Sequence, residues 1–228
     1  MTFETLADNL ARVRAEIARI QAVEGLRHPV TIVAVTKGHP ATAIAAAWRA
    51  GLPDVGENRV QEALAKAETV AEPVRWHLIG HLQTNKARFV PARFVMVHSI
   101  DTPRVAEALS RAAVQADRVV RVLVQVNVAG EGQKSGCASA EAGALVERCT
   151  ALPGLAVGGL MTMAPFTDDH GIQRRTFAAL RELRDRLATA ACPLEELSMG
   201  MSGDYPAAVA EGATVLRLGT VLFGERTA

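Results

Sequence analysis

The chain has little of what marks several common classes of protein. It contains three cysteines (Cys137, Cys149 and Cys192) without metal-site spacing, so we expect a reducing compartment and no disulfide framework. Its net charge is +1, with 25 basic and 24 acidic residues spread along the length, which argues against a nucleic-acid-binding protein. The longest uncharged run, residues 149–167, is interrupted by proline and glycine and is a poor membrane span. With no signal-peptide pattern at the start, these absences predict a cytoplasmic protein.

Aromatic residues are also scarce, at 4%, and Tyr205 is the only tyrosine. The apolar content of 49% and the balanced charge argue against disorder. A chain of 228 residues can bury a sizeable core, and it shows neither an internal repeat nor a linker. Residues 1–228 are therefore predicted to form a single domain.

Segments typical of strands and of helices alternate along the chain. Apolar residues recur every three or four positions from Phe3 to Ile20, which predicts an amphipathic N-terminal helix. The β-branched run that follows it predicts a strand buried on both faces, as in a parallel sheet. The predicted strands are Val30–Thr36, Asp54–Gly56, Arg75–Ile79, Phe94–His98, Val119–Val128, Leu155–Met161, Glu196–Ser198 and Thr214–Leu218. The predicted helices between them are Ala41–Ala50, Arg59–Val70, Thr84–Phe89, Pro103–Ala116, Ala138–Thr150, Gln173–Ala190 and Pro206–Glu211.

Eight strands, with a helix after each but the last, favour an α/β fold of the (β/α)8 TIM-barrel type. The short segment after the final strand leaves a gap in the ring of helices, and the extra N-terminal helix is expected to help cover it. An open doubly wound sheet is the alternative, and it would have fewer strands.

Polar residues cluster where the predicted strands end, which is where a barrel carries its function. Lys37 follows the first strand and is either a desolvated amine able to form a Schiff base or a surface lysine. The segments 198–204 and 217–220 follow the last two strands, where many barrels bind phosphate, although their glycines and serines also suit ordinary turns. Arg217 is expected deeper in the barrel, beside a ring nitrogen or a carboxylate.

Other polar positions are open to more than one interpretation. Gln125 and Asn127 share a strand face and suit either ligand binding or a buried polar network. The loop 130–136, which contains Lys134, is either a lid or a flexible surface loop. His77 and His81 are four residues apart, but their strand context and the lack of neighbouring ligands argue against zinc, so no metal site is predicted. Neither a Walker loop nor a dinucleotide-binding glycine motif is present.

In order along the chain, these segments resemble the pyridoxal 5′-phosphate (PLP) homeostasis proteins, the YggS or PROSC family, whose fold is similar to the N-terminal barrel of alanine racemase. The resemblance covers essentially the whole chain. The matching segments are VAVTKGHP (33–40), GENRVQEALAK (56–66), WHLIGHLQTNK (76–86), VHSID (97–101), VLVQVNVAGEGQKSG (122–136), GLMTMAP (159–165), LSMGMSGD (197–204) and LRLGTVLFG (216–224).

The resemblance implies a role for nine residues, all of them in contact with PLP or lining its site. Lys37 matches the PLP-binding lysine, and Arg217 matches the arginine beside the pyridine nitrogen. The implied phosphate contacts are Ser198, Ser202, the backbone of Met199, Gly219 and Thr220. Asn58 and His77 match polar positions that line the site.

The resemblance further implies a PLP-binding protein of intracellular vitamin B6 homeostasis, a reversible Schiff-base carrier that could serve PLP-dependent apo-enzymes. No coiled coil or long exposed strand edge argues for an obligate assembly, so a monomer or weak dimer is expected. An arginine at the pyridine nitrogen weakens carbanion chemistry, and racemisation requires a base on each face of the cofactor. Tyr205 is placed on the phosphate side, so binding without strong catalysis is favoured. The alternatives are a minimal PLP-dependent amino-acid racemase and a phosphosugar barrel enzyme without PLP.

Overall fold

Strands and helices alternate along the whole computed structural model, which describes residues 3–130 and 135–225. The α-helices are α1 (Leu6–Glu24), α2 (Thr42–Arg49), α3 (Val60–Ala67), α4 (Pro103–Gln115), α5 (Ala142–Ala151), α6 (His170–Leu187), α7 (Tyr205–Ala210) and α8 (Thr220–Phe223). The strands are β1 (Thr31–Val35), β2 (Asp54–Glu57), β3 (Arg75–Leu78), β4 (Phe94–Ile100), β5 (Val120–Asn127), β6 (Cys137–Ala138), β7 (Leu155–Met161), β8 (Glu196–Ser198) and β9 (Val215–Leu218).

Eight of these strands close into a parallel barrel. Their order is β4-β3-β2-β1-β9-β8-β7-β5, and β4 also pairs with β5, so the sheet has no open edge between them. The two-residue strand β6 only extends the sheet beside the end of β5. The predicted (β/α)8 barrel is therefore confirmed, and the open sheet is not what the chain forms.

The helices begin and end where their local chemistry requires. Thr102 caps α4 by accepting a hydrogen bond from the backbone N–H of Val105, and Pro103 occupies the first turn, where its missing N–H costs nothing. Asp169 caps α6 in the same way, accepting from the N–H of Ile172 at 3.0 Å. Helix α1 buries one apolar face and ends at Gly25, whose φ of 70° is easily adopted by glycine.

Several elements differ from the predicted ones in type or in bounds. Residues 84–89 form a 3-10 helix, and α5 starts at Ala142 because residues 137–138 pair with β5 as a strand. The last strand is followed by the single turn of α8. As expected, α1 helps to close the ring there, since it packs on α7 and α8 and Asn9 Nδ2 donates to the carbonyl oxygen of Leu222 at 2.9 Å.

Apolar side chains are buried in two separate places. A large cluster joins the outer faces of the strands to the surrounding helices. A small second cluster contains only strand residues, Met96, Leu123 and Met161, with Met163 packed against it. Since no helix contributes to the second cluster, it lies inside the barrel. Among the described residues, no helix is long and apolar enough to cross a membrane.

Candidate functional site

Several of the predicted site residues follow four strands that are neighbours in the barrel, in the order β2, β1, β9 and β8. Asn58 follows β2, Lys37 follows β1, Gly219 and Thr220 follow β9, and Ser202 lies in the turn after β8. Because all the strands are parallel, these residues share one end of the barrel. The structure thus brings them together on one continuous arc of the barrel mouth.

The turns after β8 and β9 are joined through the hydroxyl of Ser202. Its Oγ accepts hydrogen bonds from the backbone N–H of Gly219 at 3.2 Å and of Val221 at 3.1 Å. A side chain at Gly219 would point towards β1, since an added Cβ would lie 3.6 Å from Val35. Two convergent backbone donors and a hydroxyl therefore lie beside the strand that leads to Lys37, in the arrangement that binds anions.

The chain on both sides of Lys37 is held in place by an acid–base cluster from β2 and α3. Lys66 Nζ donates to the carbonyl oxygen of Thr36 at 2.8 Å and to Glu57 Oε1 at 2.7 Å. Thr36 Oγ1 donates to the same carboxylate oxygen of Glu57 at 2.6 Å, and the N–H of Gly38 donates to Glu62 at 2.9 Å. These contacts fix the residues before and after Lys37, and so fix where its half-buried side chain starts.

Glu57 is fully buried within this cluster. Burial raises the pKa of its carboxyl, against the hydrogen bonds from Lys66 and Thr36, which lower it. The second oxygen, Oε2, has no hydrogen-bond partner among the described residues. Breaking the contact with Lys66 would leave a buried acid with little compensation, which is why both members matter to the geometry.

Arg217 lies inside the barrel and is 4% exposed. Its NH1 donates to Ser198 Oγ at 2.7 Å and its NH2 donates to the carbonyl oxygen of Thr162 at 2.9 Å. Burial lowers the pKa of the guanidinium to about 10, although the charge of Asp204 opposes this. At neutral pH the group remains a cation and offers its remaining N–H groups to the barrel interior.

The hydrogen bonds continue from Ser198 to the other end of the barrel. His98 Nδ1 lies 2.8 Å from Ser198 Oγ, and His98 Nε2 lies 2.9 Å from His77 Nδ1. His77 Nε2 lies 2.9 Å from Asp54 Oδ1, and Arg75 makes two hydrogen bonds to the same carboxylate. His98 is fully buried, and its pKa is lowered well below the usual range by burial and by the nearby His77 and Arg217.

Ser198 and Met199 are placed differently from the loop residues around Ser202. Ser198 is fully buried, and its hydroxyl oxygen contacts His98 and Arg217 rather than the turn that reaches Gly219. Met199 is also fully buried, and its N–H donates to the carbonyl oxygen of Val215 at 3.1 Å. Their implied role as phosphate contacts stays a prediction, and the hydrogen bonds of Ser198 connect it instead to the arginine.

The remaining polar candidates lie around this centre. Asn58 is half-buried, and its backbone lies against Gly80. A Cβ added to Gly80 would come 2.4 Å from the Asn58 carbonyl oxygen. Gln125 Nε2 donates to the carbonyl oxygen of Ser135 at 3.0 Å, which ties β5 to the loop after it. His81 lies 3.4 Å from Asp101, apart from His77. Lys134 and residues 131–133 of the predicted lid lie outside the described residues.

Two chemical expectations concerned metals and cysteines. In the described ranges, no three His, Cys, Asp or Glu side chains come together as a metal centre would need. Cys137, Cys149 and Cys192 are free thiols and all are buried. Burial raises the pKa of Cys149 to about 12, so this thiol is a poor nucleophile at neutral pH.

The ion pair at Asp54 predicts a loss of stability in acid. Burial would raise the pKa of this carboxyl, but the hydrogen bonds from Arg75 and His77 outweigh it and lower the pKa from 3.8 to about 2. A depressed folded-state pKa stabilises the fold above the unfolded value and stops doing so as the pH falls towards 2. With a discount for the half-exposed Arg75, the stabilisation is about 1–2 kcal/mol.

We therefore expect Asp54→Asn to flatten the fall in unfolding free energy between about pH 5 and 3. Urea unfolding at several pH values, compared with the wild type, measures this slope. The exposed Asp185→Asn variant is the matched control, because the Asp185 side chain is 58% exposed and, within the described part of the chain, its ion pair is with the neighbouring Arg184. A slope in Asp54→Asn equal to that of the wild type would contradict the assignment.

The barrel has counterparts among known proteins. The family described as "Alanine racemase, N-terminal domain" matches residues 9–227. Alanine racemase of Clostridium difficile superposes with a TM-score of 0.76 over 97% of this chain and 58% of its own, at 14% identity, which shows the shared fold alone. The class is therefore that of the alanine racemase-type barrels.

Closer relatives are similar in sequence over nearly the whole chain. The "Pyridoxal phosphate homeostasis protein" of Pseudomonas aeruginosa is 44% identical over 225 residues, 97% of this chain and 96% of the relative, and that of Escherichia coli is 38% identical over 231 residues. PipY of Synechococcus elongatus, solved with PLP bound, has a TM-score of 0.81 at 39% identity and covers 96% of this chain and 100% of its own. The chain belongs to the pyridoxal phosphate homeostasis protein family, which confirms the resemblance seen in its motifs.

Several residues of the site carry no role in the sequence-based expectations. Thr162 contacts Arg217 directly, whereas His98 and Asp54 are linked to it through Ser198 and His77. Glu57 and Lys66 hold the chain around Lys37. His98 and Glu57 stand inside segments that match the family, so the segments pointed to them. The sequence does not show which polar side chains of distant strands face each other.

Proposed function

We propose that this protein binds PLP reversibly through Lys37 and serves intracellular PLP homeostasis. The observation that carries the proposal is the arc of the barrel mouth, on which Lys37 lies one strand away from the two backbone donors that meet at Ser202 Oγ. A ligand with an aldehyde at one end and a phosphate at the other fits this arrangement. The relatives named for PLP homeostasis and PipY, solved with PLP bound, support the choice of ligand.

The phosphate end is served by the turns after β8 and β9. In the described structure the Ser202 hydroxyl oxygen accepts from the N–H groups of Gly219 and Val221, as a phosphate oxygen would. Exchange of that hydroxyl for a phosphate oxygen lets Ser202 donate its own hydrogen to the ligand. Charge-assisted contacts of this kind are stronger than the neutral ones they replace, so this end would supply much of the affinity.

At the other end, PLP supplies an aldehyde that condenses with a lysine amine and releases water. Lys37 reaches this position from a backbone that Lys66 and Glu62 hold on both sides. Because an imine is returned to amine and aldehyde by water, the same residue can capture and release the ligand. A protein that holds a reactive aldehyde in this way limits its reaction with other amines of the cell.

Arg217 favours holding the ligand over amino-acid chemistry. Its guanidinium is a buried donor anchored at Ser198 and Thr162, so the ring atom that faces it must be an acceptor. A pyridine nitrogen without a proton withdraws electrons poorly. Tyr205, the single tyrosine, starts α7 and packs against the large apolar cluster. We infer that strong racemase activity is not the function of this site.

The partners of such a carrier would be PLP-dependent apo-enzymes. Transfer needs only the hydrolysis of the imine at Lys37, and no protein docking surface is assigned to it. The cytoplasmic location and a monomer or weak dimer fit this role and remain predictions.

The experiment that tests the function is borohydride reduction of the purified protein after incubation with PLP. Reduction makes the imine permanent, and peptide mapping then identifies the modified residue. We expect the phosphopyridoxyl group on Lys37. The chain has only three other lysines, Lys66, Lys86 and Lys134, so the assignment is clean. Modification of those three without Lys37, or no modification, would refute the proposal.

A further inference from the structure

We propose that Asp54, His77 and His98 are positioning residues that hold Arg217 in place through a one-directional chain of hydrogen bonds passing Ser198. The hydrogen-bond chain starts at the buried Asp54, which is paired with the half-exposed Arg75; these residues begin β2 and β3. It then passes three buried side chains from β3, β4 and β8 and ends on β9 at the arginine. The orientation of Arg217 towards PLP rests on the proposed function, whereas the chain of hydrogen bonds does not.

The direction of every hydrogen bond follows from its two ends. Arg217 can only donate, so Ser198 Oγ accepts from it at 2.7 Å. The other contact of this hydroxyl among the described residues is His98 Nδ1, at 2.8 Å, so the hydroxyl hydrogen must point there. His98 Nδ1 is then an acceptor, and the neutral ring carries its hydrogen on Nε2.

The same reasoning applies to the second half of the chain. His98 Nε2–H donates to His77 Nδ1 at 2.9 Å, so His77 carries its hydrogen on Nε2. That hydrogen points to Asp54 Oδ1 at 2.9 Å, and the ionised carboxylate accepts it. Each ring therefore has one defined tautomer, and all four hydrogen bonds point from the arginine to the carboxylate.

The chain explains why Arg217 can be held without a carboxylate of its own at hydrogen-bond distance. Among its described contacts, its hydrogen-bond acceptors are the Ser198 hydroxyl and the Thr162 carbonyl, which are neutral groups. A hydroxyl that gives its hydrogen away becomes a better acceptor, because hydrogen bonds in a chain polarise one another. Asp54, at the far end, fixes that polarity, and the guanidinium is thereby oriented for a ligand.

The first test does not require PLP. Long-range proton–nitrogen NMR of the 15N-labelled protein reports which ring nitrogen of each histidine carries hydrogen, and His98→Gln and His77→Asn assign the signals. We expect neutral Nε2–H tautomers for both rings in the wild type at neutral pH. We also expect rotation of the Arg217 guanidinium to be slow in the wild type and faster in His98→Gln, so that its N–H signals broaden in the variant. An Nδ1–H tautomer at His98, or Arg217 signals unchanged in His98→Gln, would overturn the proposal.

The second test uses the protein loaded with PLP. His98→Gln should shift the absorbance maximum of the bound ligand and weaken retention about tenfold, because Arg217 no longer faces the ring in one orientation. His28→Gln is the matched control, since the hydrogen bond of the His28 ring among the described residues is with the Ala213 carbonyl, which precedes β9 and takes no part in the hydrogen bonds to Arg217. A loss of melting temperature with an unchanged spectrum and affinity would assign His98 a purely structural role and refute the positioning role.

The two tests separate the chain from the proposed function. If the wild type forms no adduct with PLP, the proposed function fails, and the NMR measurement still decides whether the chain orients Arg217. If the adduct forms on Lys37 but His98→Gln leaves both the ligand spectrum and the Arg217 signals unchanged, the positioning role of the hydrogen-bond chain is refuted and the proposed function stands.

Discussion

The Lys37→Ala variant should lose the absorbance band of the PLP imine completely and retain PLP at least about tenfold more weakly than the wild type. Lys37 is the lysine that follows β1, next to the turns after β8 and β9 that meet at Ser202. Without its amine, the phosphate end still binds, so some noncovalent affinity should remain. Absorbance spectra and the PLP that survives gel filtration measure the two effects.

Lys86→Ala is the control for this experiment. Lys86 lies in the 3-10 helix after β3, which packs against α4, so its replacement should leave both the band and the retention of PLP unchanged. A Lys37→Ala protein with the same band and the same PLP content as Lys86→Ala would show that the aldehyde is bound elsewhere.

The Gly159→Ala variant should lose about 3–5 kcal/mol of unfolding free energy. Gly159 in β7 faces the backbone of the neighbouring strand β8, and an added Cβ would lie 1.9 Å from the carbonyl oxygen of Glu196. Backbone atoms of a closed barrel cannot move aside as a flexible side chain does, so the β7–β8 pair must separate. Such a loss is a large part of the stability of an ordinary domain.

Urea unfolding without PLP measures this loss, and Gly203→Ala is the matched control. A Cβ at Gly203 would meet nothing within 4 Å, so that variant should stay within about 0.5 kcal/mol of the wild type. If Gly159→Ala accumulates only as unfolded protein while Gly203→Ala folds, the loss exceeds the whole stability. Equal unfolding curves for the two variants would contradict the close approach of β7 and β8.

The elements of the barrel could be predicted from the sequence because each is encoded locally. The predicted Val30–Thr36 and the observed Thr31–Val35 differ by one residue at each end, since the β-branched run itself makes the strand. Lys37, Gly219 and Ser202 could be placed together for the same reason, as parallel strands deliver their ends to one edge. The predicted start of α5 was wrong because residues 137–138 pair with β5 as a strand, and this pairing is not encoded locally.

The interior of the barrel could not be predicted in this way. His98 and Ser198 are 100 residues apart, and nothing in the local sequence around either residue indicates that their side chains meet. Their contact exists because the sheet closes and turns β4 and β8 towards the same interior. Ser198, seen only as the residue before a glycine-containing turn, was grouped with the phosphate loop, although its side chain lies beside Arg217.

Lys66 has a consequence for the chemoselectivity of the protein. Its ammonium group donates three hydrogen bonds, to Thr36, Glu57 and Glu62, and so uses all of its hydrogens. An ammonium held in this way has no lone pair with which to attack a carbonyl carbon. Lys66, which is bonded to the residue before Lys37, is thereby kept unreactive. An aldehyde that reaches the end of β1 therefore meets one nucleophilic amine instead of two.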